Sequence, residues 1–137
     1  MFDNVEIKFL FEFGYVKNKT MTVKFIGDDI VINPTGEKFV EQSLFVNLPK
    51  KIKIDFSGKD MKNDTIIEDN KIIADKFVKI CSIKLDMFPI NEVYLQQNIV
   101  INCENQSKIA TNYVGFNGYI DLNLNKTNIF EQIMAFS

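Results

Sequence analysis

The sequence predicts an all-β protein: an antiparallel β-sandwich of jelly-roll-like type, with one short helix near the C-terminal end. Two observations support this fold class. Apolar and polar residues alternate with a period of two in most segments. Turn-forming residues interrupt these segments at short intervals, which divides the chain into about ten short strands. The length of 137 residues fits one domain, which we place at residues 1–137.

The first strand is predicted at residues 5–13, where the alternation is clearest. Every odd position from Val5 to Phe13 is apolar, whereas positions 6, 8 and 12 are charged, as expected for a strand buried on one face. A hairpin is predicted next. Its strands lie at residues 21–26 and 30–32, and Gly27-Asp28-Asp29 forms the turn between them.

The middle of the chain continues the strand pattern. One or two short strands are predicted within residues 38–48, and residues 50–56 alternate again before a polar loop at 57–65. The longest strand-like segment is residues 76–86. Its alternation changes phase at Cys81-Ser82, which predicts a β-bulge there.

The last third of the chain contains shorter strands and the helix. Strands are predicted at 93–95, at 98–101 and at 113–124, the last with a bend at Asn117-Gly118. Residues 128–131 begin with Asn and end with Glu, a pattern typical of a capping box at a helix start. A helix of about two turns cannot stand alone, so we expect it to cover one end of the sandwich or to dock against a partner chain.

The composition excludes several kinds of catalysis. All 16 basic residues are Lys, and the chain has no Arg, His or Trp. Without His there is no Ser–His–Asp or Cys–His relay and no ordinary His-containing zinc site. Without Arg there is no bidentate guanidinium clamp for phosphate or carboxylate. A hydrolase with two carboxylates needs no His, but the pattern singles out no pair among the 18 acidic residues, so we expect a protein that is not an enzyme.

Charge and hydropathy also limit the partners. The net charge is −2 and the Lys residues are scattered, so we expect no nucleic-acid binding. No apolar segment approaches the roughly 20 residues of a membrane helix, and no secretion signal is recognisable at the start, so we expect no membrane association. We interpret Cys81 and Cys103 as reduced thiols used in packing, with a disulfide between neighbouring strands as the alternative.

Two groups of residues are candidates for binding. The first is the densest acidic cluster, Asp60, Asp64, Glu68, Asp69 and Asp75, to which Asn63 and Asn70 add amide oxygens. Such a cluster either binds Ca²⁺, which takes six to eight oxygen ligands, or consists of solvated loops in which Asp and Asn favour turns.

The second group is the tyrosine pair Tyr113 and Tyr119, which flanks Gly115-Phe116-Asn117-Gly118. This segment either lets the backbone approach a ligand closely, with the tyrosines in contact with it, or is simply a bent strand.

Two stretches resemble a known family. They are residues 52–86, with Asp55-Phe56-Ser57-Gly58-Lys59-Asp60 and Asn63-Asp64-Thr65 in its first half, and Tyr113-Val114-Gly115-Phe116-Asn117-Gly118-Tyr119. Together they resemble small β-sandwich virion-associated proteins of tailed marine and cyanobacterial bacteriophages. Those proteins in turn resemble calcium-dependent carbohydrate-binding modules of the xylan-binding type. The resemblance covers roughly residues 50–136.

The resemblance implies two functions. The first is a structural or accessory virion protein that decorates a capsid or forms part of a tail or fibre. It would be made in the host cytoplasm and would contact other virion proteins or further copies of itself. The second is a calcium-dependent module for a cell-surface polysaccharide, with calcium held by Asp60, Asp64, Asp69 and Asp75 and the sugar contacted by Tyr113 and Tyr119. The absence of Trp and Arg favours the structural interpretation.

Overall fold

Two antiparallel sheets form the sandwich in the computed structural model, which describes residues 4–48, 50–60, 64–86, 88–90, 99–103 and 108–124. The five strands of the first sheet are β1 (Val5–Gly14), β4 (Phe39–Val46), β8 (Phe77–Leu85), β9 (Phe88–Pro89) and β12 (Tyr113–Val114). The six strands of the second sheet are β2 (Thr22–Ile26), β3 (Ile30–Ile32), β5 (Lys50–Ser57), β10 (Val100–Cys103), β11 (Lys108–Ala110) and β13 (Gly118–Leu124). A separate hairpin consists of β6 (Thr65–Glu68) and β7 (Lys71–Asp75).

The all-β antiparallel sandwich is therefore confirmed. The predicted helix at 128–136 and the predicted strand at 93–95 lie outside the described residues. In the part of the chain that is described, no helix has the length and apolar character needed to cross a membrane.

The core lies between the two sheets, and strand β1 supplies its centre. The apolar residues at alternate positions from Val5 to Phe13 are all buried, as the alternation predicts. Phe9 and Phe11 of the first sheet meet Phe25 of the second sheet edge-on, with ring centroids 5.2 and 6.1 Å apart. These contacts across the sandwich show that apolar burial holds the two sheets together.

The β-bulge predicted in β8 is confirmed. Leu10 of β1 lies opposite Ser82, whereas the next residue, Phe11, lies opposite Ile80. Cys81 is the extra residue between them, and it changes which residues of β8 point inward. Cys81 and Cys103 lie in different sheets and form no disulfide, so the prediction of two thiols is confirmed.

The single bent strand predicted at 113–124 is wrong. Residues 113–114 form β12 and pair with β8 in the first sheet, whereas residues 118–124 form β13 and pair with β5 and β10 in the second sheet. The Gly-containing segment between them carries the chain from one sheet to the other. Alternation alone does not reveal this crossing, because both strands keep the same local pattern.

Candidate functional site

Two of the connections between the sheets are bound to each other at one end of the sandwich. The first runs from the end of β5 through the β6–β7 hairpin to the start of β8, and the second runs from β12 to β13. The side chain of Asn117, in the second connection, receives a hydrogen bond from the backbone N–H of Lys59 and donates one to its carbonyl, both at 2.9 Å. Asn117 therefore binds the two connections to each other.

Lys59 is the first of two buried lysines at this end. The residue is only 6% exposed, and its ammonium group forms an ion pair with the carboxylate of Asp75. The same ammonium donates a hydrogen bond of 2.6 Å to the backbone carbonyl of Lys76. A buried charge is tolerated only with such partners, because it has lost its hydration.

Lys76 makes the reciprocal contacts. Its ammonium donates to the carbonyl of Gly58 at 2.9 Å and lies 3.0 Å from a carboxylate oxygen of Asp64. Its backbone N–H donates to the carbonyl of Asp64 at 2.9 Å. Each ammonium group thus contacts one carboxylate and one backbone carbonyl. The carbonyl that each lysine contacts lies at the other end of the first connection from the lysine itself.

The carboxylate of Asp75, one of the predicted metal ligands, accepts three hydrogen bonds from side chains. It accepts from the ammonium of Lys59, the hydroxyl of Tyr113 and, at 2.7 Å, the hydroxyl of Thr65. Burial by itself raises the pKa of Asp75, but the hydrogen bonds and the charge of Lys59 outweigh it and hold the pKa below its ordinary value. Burial and the contact with the Asp75 carboxylate raise the pKa of Tyr113, so its hydroxyl stays protonated and donates.

Asp64 and Asp60 contact each other. A carboxylate oxygen of Asp64 accepts the backbone N–H of Asp60 at 2.7 Å, and the N–H of Asp64 donates to the carbonyl of Asp60 at 2.9 Å. Burial raises the pKa of Asp64, but the N–H of Asp60 and the ammonium of Lys76 outweigh it, so the pKa is lowered. Asp69 lies in the turn between β6 and β7 with a φ of 52°, a left-handed backbone conformation that Asp tolerates.

The residues predicted to hold calcium do not fit the ion as they stand. Asp64 and Asp75 belong to one cluster, but their carboxylates already have ammonium partners, and Asp69 is exposed in the hairpin turn. Among the described residues there is no group of three or more acidic, His or Cys side chains arranged to hold a metal ion. Calcium binding by Asp60, Asp64, Asp69 and Asp75 stays a prediction.

The two predicted ligand-binding tyrosines lie in different sheets. Tyr113 in β12 stacks on Phe77, with ring centroids 4.7 Å apart and planes inclined by 24°, while its hydroxyl is held by Asp75. Tyr119 in β13 lies on the outer face of the second sheet, directly opposite Asp55 of β5 and Asn102 of β10. The structure therefore does not combine the two rings in one platform.

A cleft of about 500 Å³ lies beside Tyr119. Its lining includes Asp55, Ser57, Asn102, Cys103, Lys108 and Tyr119. The ammonium of Lys53 lies 4.3 Å from the centroid of the Tyr119 ring, a cation–π contact that orients the ring beside the cleft. Volumes of roughly 300–1,000 Å³ are usual for small-molecule sites.

Gly118 precedes Tyr119 and has no room for a side chain. A Cβ atom there would lie 2.4 Å from the carbonyl oxygen of Asn102. The close approach of β13 to β10 depends on this glycine, and it brings Asn102 next to Tyr119 in the cleft.

The sequence indicated part of this site. Tyr119 was predicted, and the alternation around Asp55 places that carboxylate on the outer face, between the inward-facing Ile54 and Phe56. Asn102 and Lys108 were missed, because their proximity to Tyr119 depends on the strand order of the second sheet. The roles of Lys59 and Lys76 were missed as well, since nothing local distinguishes a buried lysine from the exposed ones.

Comparison with known proteins gives a likeness of fold. No protein-family model matches the sequence, and neither does any curated protein. A solved structure of vCBM60 in its selenomethionine form matches with a TM-score of 0.51 and 13% identity, over 87% of this chain and 90% of that one. Its description concerns a circular permutation that links two families of calcium-dependent carbohydrate-binding modules.

A structure of vCBM60 in complex with galactobiose matches with a TM-score of 0.49 and 13% identity, over 86% of this chain and 97% of that one. At 13% identity the first of these matches shows the fold alone. This chain therefore has a β-sandwich fold similar to that of a carbohydrate-binding module, which agrees with the module part of the resemblance seen in the sequence.

Proposed function

We propose that this chain is a non-enzymatic carbohydrate-binding module whose saccharide site is the cleft beside Tyr119. The observation that supports the proposal is the row Asn102–Tyr119–Asp55, which crosses three adjacent strands on the outer face of a module-like sandwich. An aromatic ring can pack against the apolar C–H face of a sugar, while the amide and carboxylate bind its hydroxyl groups. Lys108 adds a donor at the rim of the cleft.

The charges around the cleft favour an uncharged or weakly charged polysaccharide. Asp55 brings one negative charge, and Lys108 in the lining brings one positive charge. These two lining charges balance, and the ammonium of Lys53 beside the Tyr119 ring adds one positive charge, so the local charge is small. Sugar hydroxyl groups both donate and accept hydrogen bonds, so they can bind a carboxylate as well as an ammonium group.

A binding screen with matched variants tests the proposal. The wild-type chain is applied to a panel of plant, algal and bacterial polysaccharides, and any hit is titrated calorimetrically. We expect Tyr119→Ala to weaken binding by about tenfold or more, since truncation of a central aromatic contact commonly costs at least about 1.4 kcal/mol. Phe39→Ala removes an exposed aromatic ring from the other sheet and is expected to leave the affinity unchanged.

The outcomes separate the site from the function. If no polysaccharide binds the wild-type chain, the proposed function is wrong. If a glycan binds but Tyr119→Ala has no effect, the function survives and the cleft is not its site. Each titration is run with calcium and with EDTA, because calcium dependence stays a prediction for this chain.

A structural role in a virion remains the second candidate, and a different observation favours it. Phe39 and Phe45 of β4 and Val31 of β3 are 52%, 64% and 59% exposed. Each of these strands lies at an edge of its sheet in the described strand order. Exposed apolar side chains on edge strands favour assembly, either with other virion proteins or with further copies of this chain. Proteomics of purified particles tests the predicted virion localisation, and absence of the protein from the particles would contradict it.

A further inference from the structure

We infer that the ammonium groups of Lys59 and Lys76 take the place of a divalent cation, so that this chain folds without calcium. They lie at the end of the sandwich where the β5–β8 and β12–β13 connections are bound to each other, which we call the crossover end. The inference concerns folding and does not depend on the proposed saccharide site. It rests on the contacts of the two lysines with Asp64 and Asp75.

The oxygen atoms that a cation would gather are already bound. A calcium ion holds distant segments together by coordinating carboxylate and backbone carbonyl oxygens. Here the Asp75 carboxylate and the Lys76 carbonyl accept from the ammonium of Lys59. The Asp64 carboxylate and the Gly58 carbonyl accept from the ammonium of Lys76. Two ammonium groups thus connect the same kinds of oxygen that one divalent ion would connect.

The charges of the cluster also balance without a metal. Asp64 and Asp75 carry two negative charges, and Lys59 and Lys76 carry two positive ones. The side chains of the two lysines are 1% and 9% exposed, so both ammonium groups are largely removed from water. A calcium ion that took their oxygens would leave two buried cations beside it, which is strongly unfavourable.

The position of the cluster explains why it matters for the fold. Lys59 follows β5 of the second sheet, and Asp75 and Lys76 precede β8 of the first. Through Asn117 the backbone of Lys59 is also bound to the connection between β12 and β13. The cluster therefore links two of the connections that pass between the sheets at this end.

Thermal unfolding of the full chain in excess calcium and in EDTA tests the inference directly. A metal present at about 100 times its Kd would raise the Tm by roughly 5–10 °C, because it binds only the folded state. We expect no shift between the two conditions. A calcium-dependent rise of the Tm, or tyrosine-sensitised terbium luminescence that calcium displaces, would overturn the inference.

Methionine variants test the role of the lysines themselves. Lys59→Met keeps the apolar stem but removes the charge that Asp75 needs, and we expect a fall in Tm of roughly 10 °C or loss of folding. Lys51→Met, at an exposed position of β5, is the matched control and is expected to melt like the wild type. If Lys59→Met and Lys51→Met melt at the same temperature, the ammonium does not hold the connections together. The calcium measurement needs no variant, so the inference is tested even where Lys59→Met fails to fold.

Discussion

Phe9 offers the sharpest test of the fold, because the same substitution can be made at a matched exposed position. Phe9 is 0% exposed and lies in the middle of β1, which is paired on one side with β4 and on the other with β8. Phe45 of β4 is 64% exposed. We therefore compare Phe9→Ala with Phe45→Ala.

The expected magnitude follows from what surrounds the Phe9 ring. Its centroid lies 5.2 Å from that of Phe25 in an edge-on contact and 5.8 Å from that of Phe11 in a parallel one. Truncation of a buried Phe to Ala costs about 3–5 kcal/mol, and the two ring contacts argue against the lowest part of that range. Since β1 is held by strands on both sides, the cavity cannot collapse readily. We expect a loss of about 4 kcal/mol for Phe9→Ala and less than about 0.5 kcal/mol for Phe45→Ala.

Urea denaturation followed by circular dichroism measures both losses. The m-value should stay constant, so that the shift of the midpoint reports the change in the free energy of unfolding. A loss below about 1 kcal/mol for Phe9→Ala would show that the register of β1 is wrong. Equal losses for the two variants would show that the inner and outer faces of the first sheet have been misassigned.

Two further predictions concern the crossover end and the cleft. The pKa values of Asp64 and Asp75 are lowered in the folded state. Their contribution to stability is therefore fully present above the pKa of about 4 that they have in the unfolded chain, and it is lost as the pH falls through their pKa values in the folded state. We expect the Tm to fall on acidification below about pH 4, and to fall less steeply with pH in Asp75→Asn than in the wild type. Equal slopes of Tm against pH in the two proteins would contradict the ion-pair assignment. Gly118→Ala should destabilise the chain by about 1–3 kcal/mol, because the new Cβ meets the Asn102 carbonyl. Gly115→Ala should cost less, because its new Cβ would lie 3.1 Å from the Tyr113 ring, a longer distance than the 2.4 Å at Gly118, and chemical denaturation compares the two.

Strands and their buried faces could be predicted from the sequence, since both follow from a pattern that is local in the chain. The alternation from Val5 to Phe13 appears unchanged as the buried face of β1. The change of phase at Cys81 appears as the bulge opposite Leu10 and Phe11. In each case the side chains of one short segment determine which face can be buried, whatever the partner strands are.

The candidate site could be predicted only in part. Tyr119 and Asp55 could be placed on the outside of their strands, but their adjacency depends on β13 pairing with β5. The acidic loops contain oxygens that suit calcium, and the sequence contains no local sign that Lys59 and Lys76 supply the positive charge instead. Lysines are usually exposed, so burial of these two is a property of the packed structure.

The amino-acid sequence thus determined that this chain forms an antiparallel β-sandwich, that its core is rich in Phe and Ile, and that it lacks the residue types for His- or Arg-based catalysis. Only the tertiary structure decided that residues 113–124 cross between the sheets, that a cleft opens beside Tyr119, and that two buried ammonium groups hold the acidic connections. The physical reason is distance along the chain. Lys59 and Asn117 are 58 residues apart, and their hydrogen bonds depend on the pairing of β5 with β13.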